Sequence, residues 1–461
     1  MMELVVYGVF VGLSLLAYGT RHLANKSEDK KISVSNVNFK SFQKSFFLVY
    51  FLALLGDWLQ GPYVYKLYAY YGFKESQIAV LYVAGFASSV VFGTCTGPLA
   101  DIFGRRKCAI AFSIIYTFCC LTKLSPNFNI LFIGRIFGGI ATSMLFSTFE
   151  SWYVYEHSEK HGYPPEWIGI TFSITTFWNG IIAILAGIIS NVGAETLGFG
   201  PVAPFVVALG PLVVCGILVI RTWEENYGNR KNDFSGSCME GLRIIFRDEN
   251  ILLLGTIQSL LESCMYIFVF LWTPVLDTGS TSAPLGMVFS SFMVCIMIGS
   301  STFSLLASKG FSEENILKFC LYLIAGTMTV CCFTARPDAS SLDTLISFAA
   351  FLVLEIGIGM YFPAISYLRS QVIPESHRAN VMNWFRVPMN IITCGALLCL
   401  HIESVSRDKR LVFGACLVLA LTGILLCNRF MKTFGAKRME KLQPVDLGKE
   451  EKSGLLTEAE G

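Results

Sequence analysis

The chain has 461 residues, of which 54% are hydrophobic and only 15% charged, whereas a soluble surface is roughly 25–35% charged. Lysine and arginine total 35 against 33 aspartate and glutamate, and the resulting net charge of +2 gives no footing for nucleic acid. The 15 cysteines include no CxxC and no His/Cys cluster of zinc spacing, so they read as small buried hydrophobes, not disulfides or metal ligands.

A hydrocarbon core about 30 Å thick takes roughly 20 apolar residues of helix, and such segments recur throughout. They fall at 2–20, 45–66, 78–99, 108–123, 129–152, 167–190, 201–220, 250–272, 284–307, 315–334, 344–367, 379–400 and 410–428. The first stands apart, and the rest form two sets of six separated by the polar stretch 221–249. The expectation is an all-α polytopic membrane protein. Residues 1–44 supply an extra N-terminal transmembrane helix and a basic linker, 45–220 and 250–428 two six-helix bundles, 221–249 the loop between them, and 429–461 a flexible tail.

Segment 2–20 opens with Glu3 and no basic residue, and no small-x-small cleavage site follows, so a retained helix is expected and not a signal peptide. Arg21, Lys26, Lys30, Lys31, Lys40 and Lys44 hold the linker on the cytoplasmic side, which puts the N-terminus outside. Arg105, Arg106 and Lys107, then Arg221 to Arg247, then Arg369 and Arg378, then the tail from Arg429, mark later inner loops. Stretches 191–200 and 273–283 lack lysine and arginine; Arg407 and Lys409 are the exception on the outer side. The C-terminus is thus expected in the cytoplasm, and the plasma membrane is the expected location.

Between the third and fourth segments lies GPLADIFGRRKC, residues 97–108. Asp101 ends a helix, Gly104 permits a tight turn, and the basic run fixes the loop inside. This resembles the signature loop of the major facilitator superfamily, and it falls directly after the second core helix as that resemblance requires. The resemblance implies the major facilitator fold, two pseudo-symmetric six-helix bundles around a central cavity. It also implies a conformational latch of Asp101, Gly104, Arg105 and Arg106, with Glu150 as partner. The counterpart SKGFSEENILK, 308–318, keeps Gly310 but has neither the aspartate nor the arginine pair.

GDWLQGPYVYKLY (56–68), GRIFGGIATSMLFSTFESW (134–152), GPVAPF (200–205), LLGTIQSLLESCMYIFVFLWTPVL (253–276) and NWFRVPMN (383–390) look like the eukaryotic molybdate-anion branch of that superfamily. That likeness implies a carrier of a small inorganic oxyanion, molybdate; a monomer without cofactor is expected, and coupling to protons is an expectation from the acids considered next.

Asp57, Glu262 and Glu355 fall near the middles of their segments, where an ionised group costs roughly 2.5–3.5 kcal/mol on insertion scales. They are expected to face the bundle interior. In the resembled fold, core helices one, four, seven and ten line the cavity, and these acids lie on one, seven and ten. Gln60 follows Asp57 by three positions and Gln258 precedes Glu262 by four, so each amide shares a face with its acid. Tyr63 and Asn383 join them as cavity candidates. Arg135 and Arg386 are the candidate anion contacts, since a planar set of five donors suits a tetrahedral oxyanion.

The middle depth thus holds three carboxylates and no basic residue, a pattern that fits a cation better than an anion unless protons neutralise the acids. A sulfate-like anion, an organic cation, a sugar, or a non-transporting sensor or scaffold remain competing readings. An enzyme is not expected: no histidine neighbours these acids and no G-x-S-x-G occurs.

Overall fold

The computed structural model describes residues 2–27, 36–228, 234–277, 283–374, 378–402, 405 and 407–442. The expected flexible tail beyond Leu442, and linker lysines Lys30 and Lys31, lie outside these residues.

The N-terminal half contains α1 (Met2–Ser27), α2 (Val37–Trp58), α3 (Val64–Tyr70), α4 (Glu75–Phe103), α5 (Arg105–Thr122), α6 (Phe128–Tyr155), α7 (Glu166–Asn191) and α8 (Ala203–Thr222). After α9 (Phe234–Arg247) come α10 (Glu249–Leu276), α11 (Leu285–Ser308), α12 (Glu313–Thr334), α13 (Ser341–Val372), α14 (Arg378–Leu398) and α15 (Arg410–Leu442). The chain is an all-α polytopic membrane protein, with eleven helices long and apolar enough to cross a bilayer by length and composition. Of the thirteen expected spans, α5 and α14 fall short of that measure. Their sequences explain this: α5 opens on Arg105, Arg106 and Lys107, and α14 carries Asn383, Arg386 and Asn390.

Local chemistry sets the helix starts. The Asn36 side chain accepts from the Phe39 N–H at 3.1 Å, Asn127 from Asn129 at 2.9 Å, and Asp248 from Asn250 at 2.8 Å, each satisfying an orphan donor of a first turn. The expected span 45–66 is not one helix. Pro62 has no N–H and disfavours helix at Gly61, so α2 stops at Trp58 and a 3₁₀ turn, Gly61–Tyr63, leads into α3. Within the expected inter-bundle loop, α9 is an addition that the sequence reading omitted. Its Ile245 packs with Ile251, Ile373, Val381 and Phe385.

The two halves repeat one packing scheme. In the first, α4 packs on α6, α5 on both α6 and α8, and α2 on α7 and α8; in the second, α11 packs on α13, α12 on both α13 and α15, and α10 on α14 and α15. Two seams, α7 with α11 and α4 with α14, join the halves. Glycine makes the tightest pairs possible. A Cβ on Gly139 of α6 would meet the Gly85 carbonyl oxygen of α4 at 2.5 Å, and a Cβ on Gly359 of α13 would collide with the Ile296 carbonyl of α11. The extra helix α1 lies along α11 and buries Met2, Val6 and Ala24, and its Tyr7 hydroxyl accepts from Asn191 Nδ2 of α7 at 3.1 Å.

Over-packing a backbone contact of this kind costs about 1–3 kcal/mol. Gly359→Ala is therefore expected to lower the thermal midpoint of the purified protein. Gly326→Ala, where a Cβ meets nothing within 4 Å, should leave it unchanged; equal midpoints for the two would contradict the packing described.

Candidate functional site

Between the halves lies a cavity of about 660 Å³. Its floor on the N-terminal side is made by small residues, Gly85, Ser89 and Gly93 of α4 and Gly138, Gly139, Thr142 and Ser143 of α6. Close packing of α4 on α6 leaves these backbones mostly bare of bulk, and charged side chains from α6 and from other helices face the same space.

Asp57, Gln60, Arg135, Gln258, Glu262, Asn383 and Arg386 all line this cavity. Asp57, at the end of α2, accepts a hydrogen bond from the Tyr116 hydroxyl of α5. Glu262 of α10 accepts from the Tyr361 hydroxyl of α13 at 3.0 Å. Each half thus presents one carboxylate held by a tyrosine from another helix.

Four cations face these two acids: Lys123, Arg135, Arg369 and Arg386. Lys123 is buried and donates to the Tyr68 hydroxyl at 2.6 Å. Arg135 donates through Nε to the Leu81 carbonyl at 3.1 Å and lies over the Tyr82 ring at 5.1 Å. Arg369 Nη1 is 3.5 Å from Gln258 Oε1. Among the described residues none of the four is in an ion pair. The sequence points to Arg135 and Arg386 as anion contacts, and Lys123 and Arg369 add two further cations to the lining.

Lys123 and Arg369 were missed because each sits at a span boundary, where a basic residue reads as interfacial. Arg369 is inside because α13 runs on to Val372, five residues beyond the expected end. Tyr116 and Tyr361 had no signal among the 18 tyrosines of the chain.

Two candidates lie elsewhere. Tyr63 is fully buried behind the wall, its hydroxyl 3.5 Å from Asn191 Oδ1. Glu355 is buried in the C-terminal half beside Cys295 and does not line the cavity. It stands about 21 Å further along α13 than Arg369, at a level where α11 and α13 touch through Gly299 and Gly359 and leave no room for solute.

The signature loop forms a compact knot. Arg105 donates to Asp101 Oδ1 through Nε (3.1 Å) and Nη2 (2.7 Å) and to the Ser151 carbonyl through Nη1 (3.1 Å). Gly104 adopts φ 109° with the Glu225 carboxylate packed against it, and Glu225 accepts from the Arg106 backbone N–H at 2.9 Å. A carboxylate there caps the positive end of α5. Glu150, the expected partner of Arg105, forms no ion pair with it; the arginine's bonds go to Asp101 and the Ser151 carbonyl instead. Both residues line a separate depression that shares Phe146 and Ser147 with the central cavity, so the cavity extends towards this end.

The opposite end is sealed by contacts across the halves. Lys66 pairs with Asp277, and Lys409 with Glu75 at 3.3 Å. Phe270 of α10 meets Tyr65 and Tyr82 edge-on at 5.3 and 5.1 Å, and Ser290 donates to the Ile184 carbonyl at 2.9 Å.

A family model described as sugar transporters with 12 transmembrane segments matches residues 5–357. The chain belongs to the major facilitator superfamily. Similar curated relatives of this facilitator are the molybdate-anion transporters of Xenopus tropicalis, 44% identical over 92% of this chain and 94% of the relative, and of Danio rerio, 40% identical over 90% and 92%. Among solved structures, the nucleoside transporter NupG matches with TM-score 0.63 at 14% identity, covering 85% of this chain and 99% of that one. A peptide transporter POT in complex with sulfate matches with TM-score 0.64 at 14% identity over 84% and 95%. These structural likenesses concern the fold.

Accessibility checks the asymmetry of the facilitator's two ends. In a background without native cysteines, Met382→Cys on the cavity rim is expected to react with a water-soluble maleimide, whereas Tyr65→Cys under the sealed end should stay unlabelled. Equal labelling would mean the cavity is not closed where the ion pairs lie.

Proposed function

We propose that this facilitator carries molybdate across a membrane by alternating access, with protons as co-substrate. The observation that carries this reading is the cation excess: four basic side chains against two carboxylates around one cavity. With both acids ionised the surplus is two positive charges, equal and opposite to a tetrahedral dianion. Arginine forks offer such an ion parallel N–H donors. The names of the curated relatives, aligned over nine-tenths of this chain, support the same substrate. A neutral sugar would leave the surplus charge unanswered in a poorly hydrated cavity, which weighs against that alternative.

A dianion beside an ionised carboxylate is repelled, and in a cavity of low dielectric the repulsion is large. Protons delivered to Asp57 or Glu262 remove it, which makes coupling to protons the natural cycle. The basic signature loop and linker support a cytoplasmic placement of the accessible end, with the N-terminus outside and the C-terminus inside. In this reading the protein is a monomeric carrier in the plasma membrane and not an enzyme.

Vesicles holding the purified protein should take up labelled molybdate above empty vesicles, faster as the pH on the uptake side falls. Arg386→Gln should reduce uptake by about tenfold or more, the loss of one charge-assisted pair. Asp57→Asn and Glu262→Gln should flatten the pH profile before they abolish transport. Uptake indistinguishable from empty vesicles at every pH would sink the molybdate assignment.

A further inference from the structure

The cavity cations are not gathered at one point. A Cβ on Gly85 of α4 would lie 2.6 Å from Arg135 Nη2, and a Cβ on Gly93 of the same helix 3.7 Å from Arg386 Nη1. Eight residues separate the two glycines, about 12 Å along α4, so the two guanidinium groups rest against different levels of that helix.

Each cation has a companion. Lys123 and Arg135 act on one another and flank Cys119, which also feels Asp57. Arg369 and Arg386 both act on Glu262. The cavity therefore holds two similar groups, one per half: Lys123, Arg135 and the Asp57–Tyr116 pair near the sealed end, and Arg369, Arg386 and the Glu262–Tyr361 pair nearer the accessible end. Between them the wall of α4 is mostly small, Gly85, Ser89 and Gly93, with Phe86 the one bulky α4 side chain named in the lining, edge-on to Tyr266 at 5.2 Å.

Resting on the anion reading above, we propose that these groups are two oxyanion stations in series, and that the substrate enters at Arg369 and Arg386 and is handed to Lys123 and Arg135 before the sealed end opens. Splitting four cations into two pairs serves release. All four on one dianion would hold it too tightly to leave, whereas permeation needs sites strong enough to enter and weak enough to exit. Two dianions this close repel in a dry cavity, so one ion occupies the stations alternately.

The stations separate binding from transport. With full-length protein and labelled molybdate, equilibrium binding in the resting state measures the first station and vesicle uptake measures both. Arg369→Gln and Arg386→Gln are expected to weaken binding by about tenfold or more. Lys123→Met and Arg135→Gln should lose about tenfold or more of uptake beyond any loss in binding. Lys123→Arg, which keeps the charge, should restore uptake. If Lys123→Met disturbs folding, seen as an altered size-exclusion profile, Tyr68→Phe removes the hydroxyl that holds the ammonium and should show the same split.

Parallel loss of binding and uptake in all four charge variants would mean a single site and would overturn the series arrangement while leaving the anion reading intact. Uptake by Lys123→Met and Arg135→Gln equal to the unsubstituted protein would likewise overturn it. Absence of molybdate binding by the unsubstituted protein would instead remove the anion reading itself, and the stations with it.

Discussion

A positive charge inside a bilayer needs either a partner or water, and this cavity holds four such charges against two acids, with none of the four in an ion pair among the described residues. Everything else in the structure accommodates that constraint. Lys123 is steadied by the Tyr68 hydroxyl and ring, Arg135 by the Leu81 carbonyl and the Tyr82 face, Arg369 by Gln258. These neutral partners orient the cations without cancelling them. An ion pair would have been cheaper to insert, but it would also have removed the attraction on which anion entry depends.

Rigid walls make that arrangement sustainable. The α4–α6 and α11–α13 contacts bring backbones together at Gly85 with Gly139 and at Ile296 with Gly359, so each half behaves as one packed body with a bare inner face. The same helix pairs recur in both halves, which is the geometry that lets one half rock against the other about a central site. The seams between halves are likewise lined by small residues, Gly187 of α7 against Gly286 of α11. Their counterpart in charge is the sealed end, where Lys66 with Asp277 and Lys409 with Glu75 tie N-terminal to C-terminal elements. Asp277 and Glu75 are only 8% and 15% exposed, so parting these pairs to open this end costs more than breaking surface pairs would.

The halves are not equivalent in detail. The first carries the knot of Asp101, Arg105 and Glu225 around Gly104; at the matching place in the second, Gly310 keeps a positive φ of 86°, and the sequence there has neither the aspartate nor the arginine pair. The extra helix adds a further asymmetry, since α1 lies on α11 but bonds to Asn191 of α7 through Tyr7. It therefore touches both sides of one seam and neither side of the other.

How much of this was legible in the chain follows from the physics of each signal. Apolar runs about 20 residues long, basic loops and the signature motif gave the helices and their fold, because a bilayer forces backbone hydrogen bonding to be satisfied within each segment. Asp57 and Glu262 could be named because a charged residue deep in an apolar run is rarely structural filler, and Arg135 and Arg386 because an oxyanion calls for planar sets of donors. Periodicity and depth could not say which wall each one faces. Glu355 was equally deep, yet helix packing closed the space beside it; Lys123 and Arg369 looked interfacial, yet the turn after α5 and the extra length of α13 brought them inward. The sequence by itself determined that this chain is a bundle of membrane helices with costly charges at depth. Only the tertiary structure decided their balance of sign and their division into two groups, since charges that meet across a cavity come from residues up to hundreds of positions apart and are set by how helices cross.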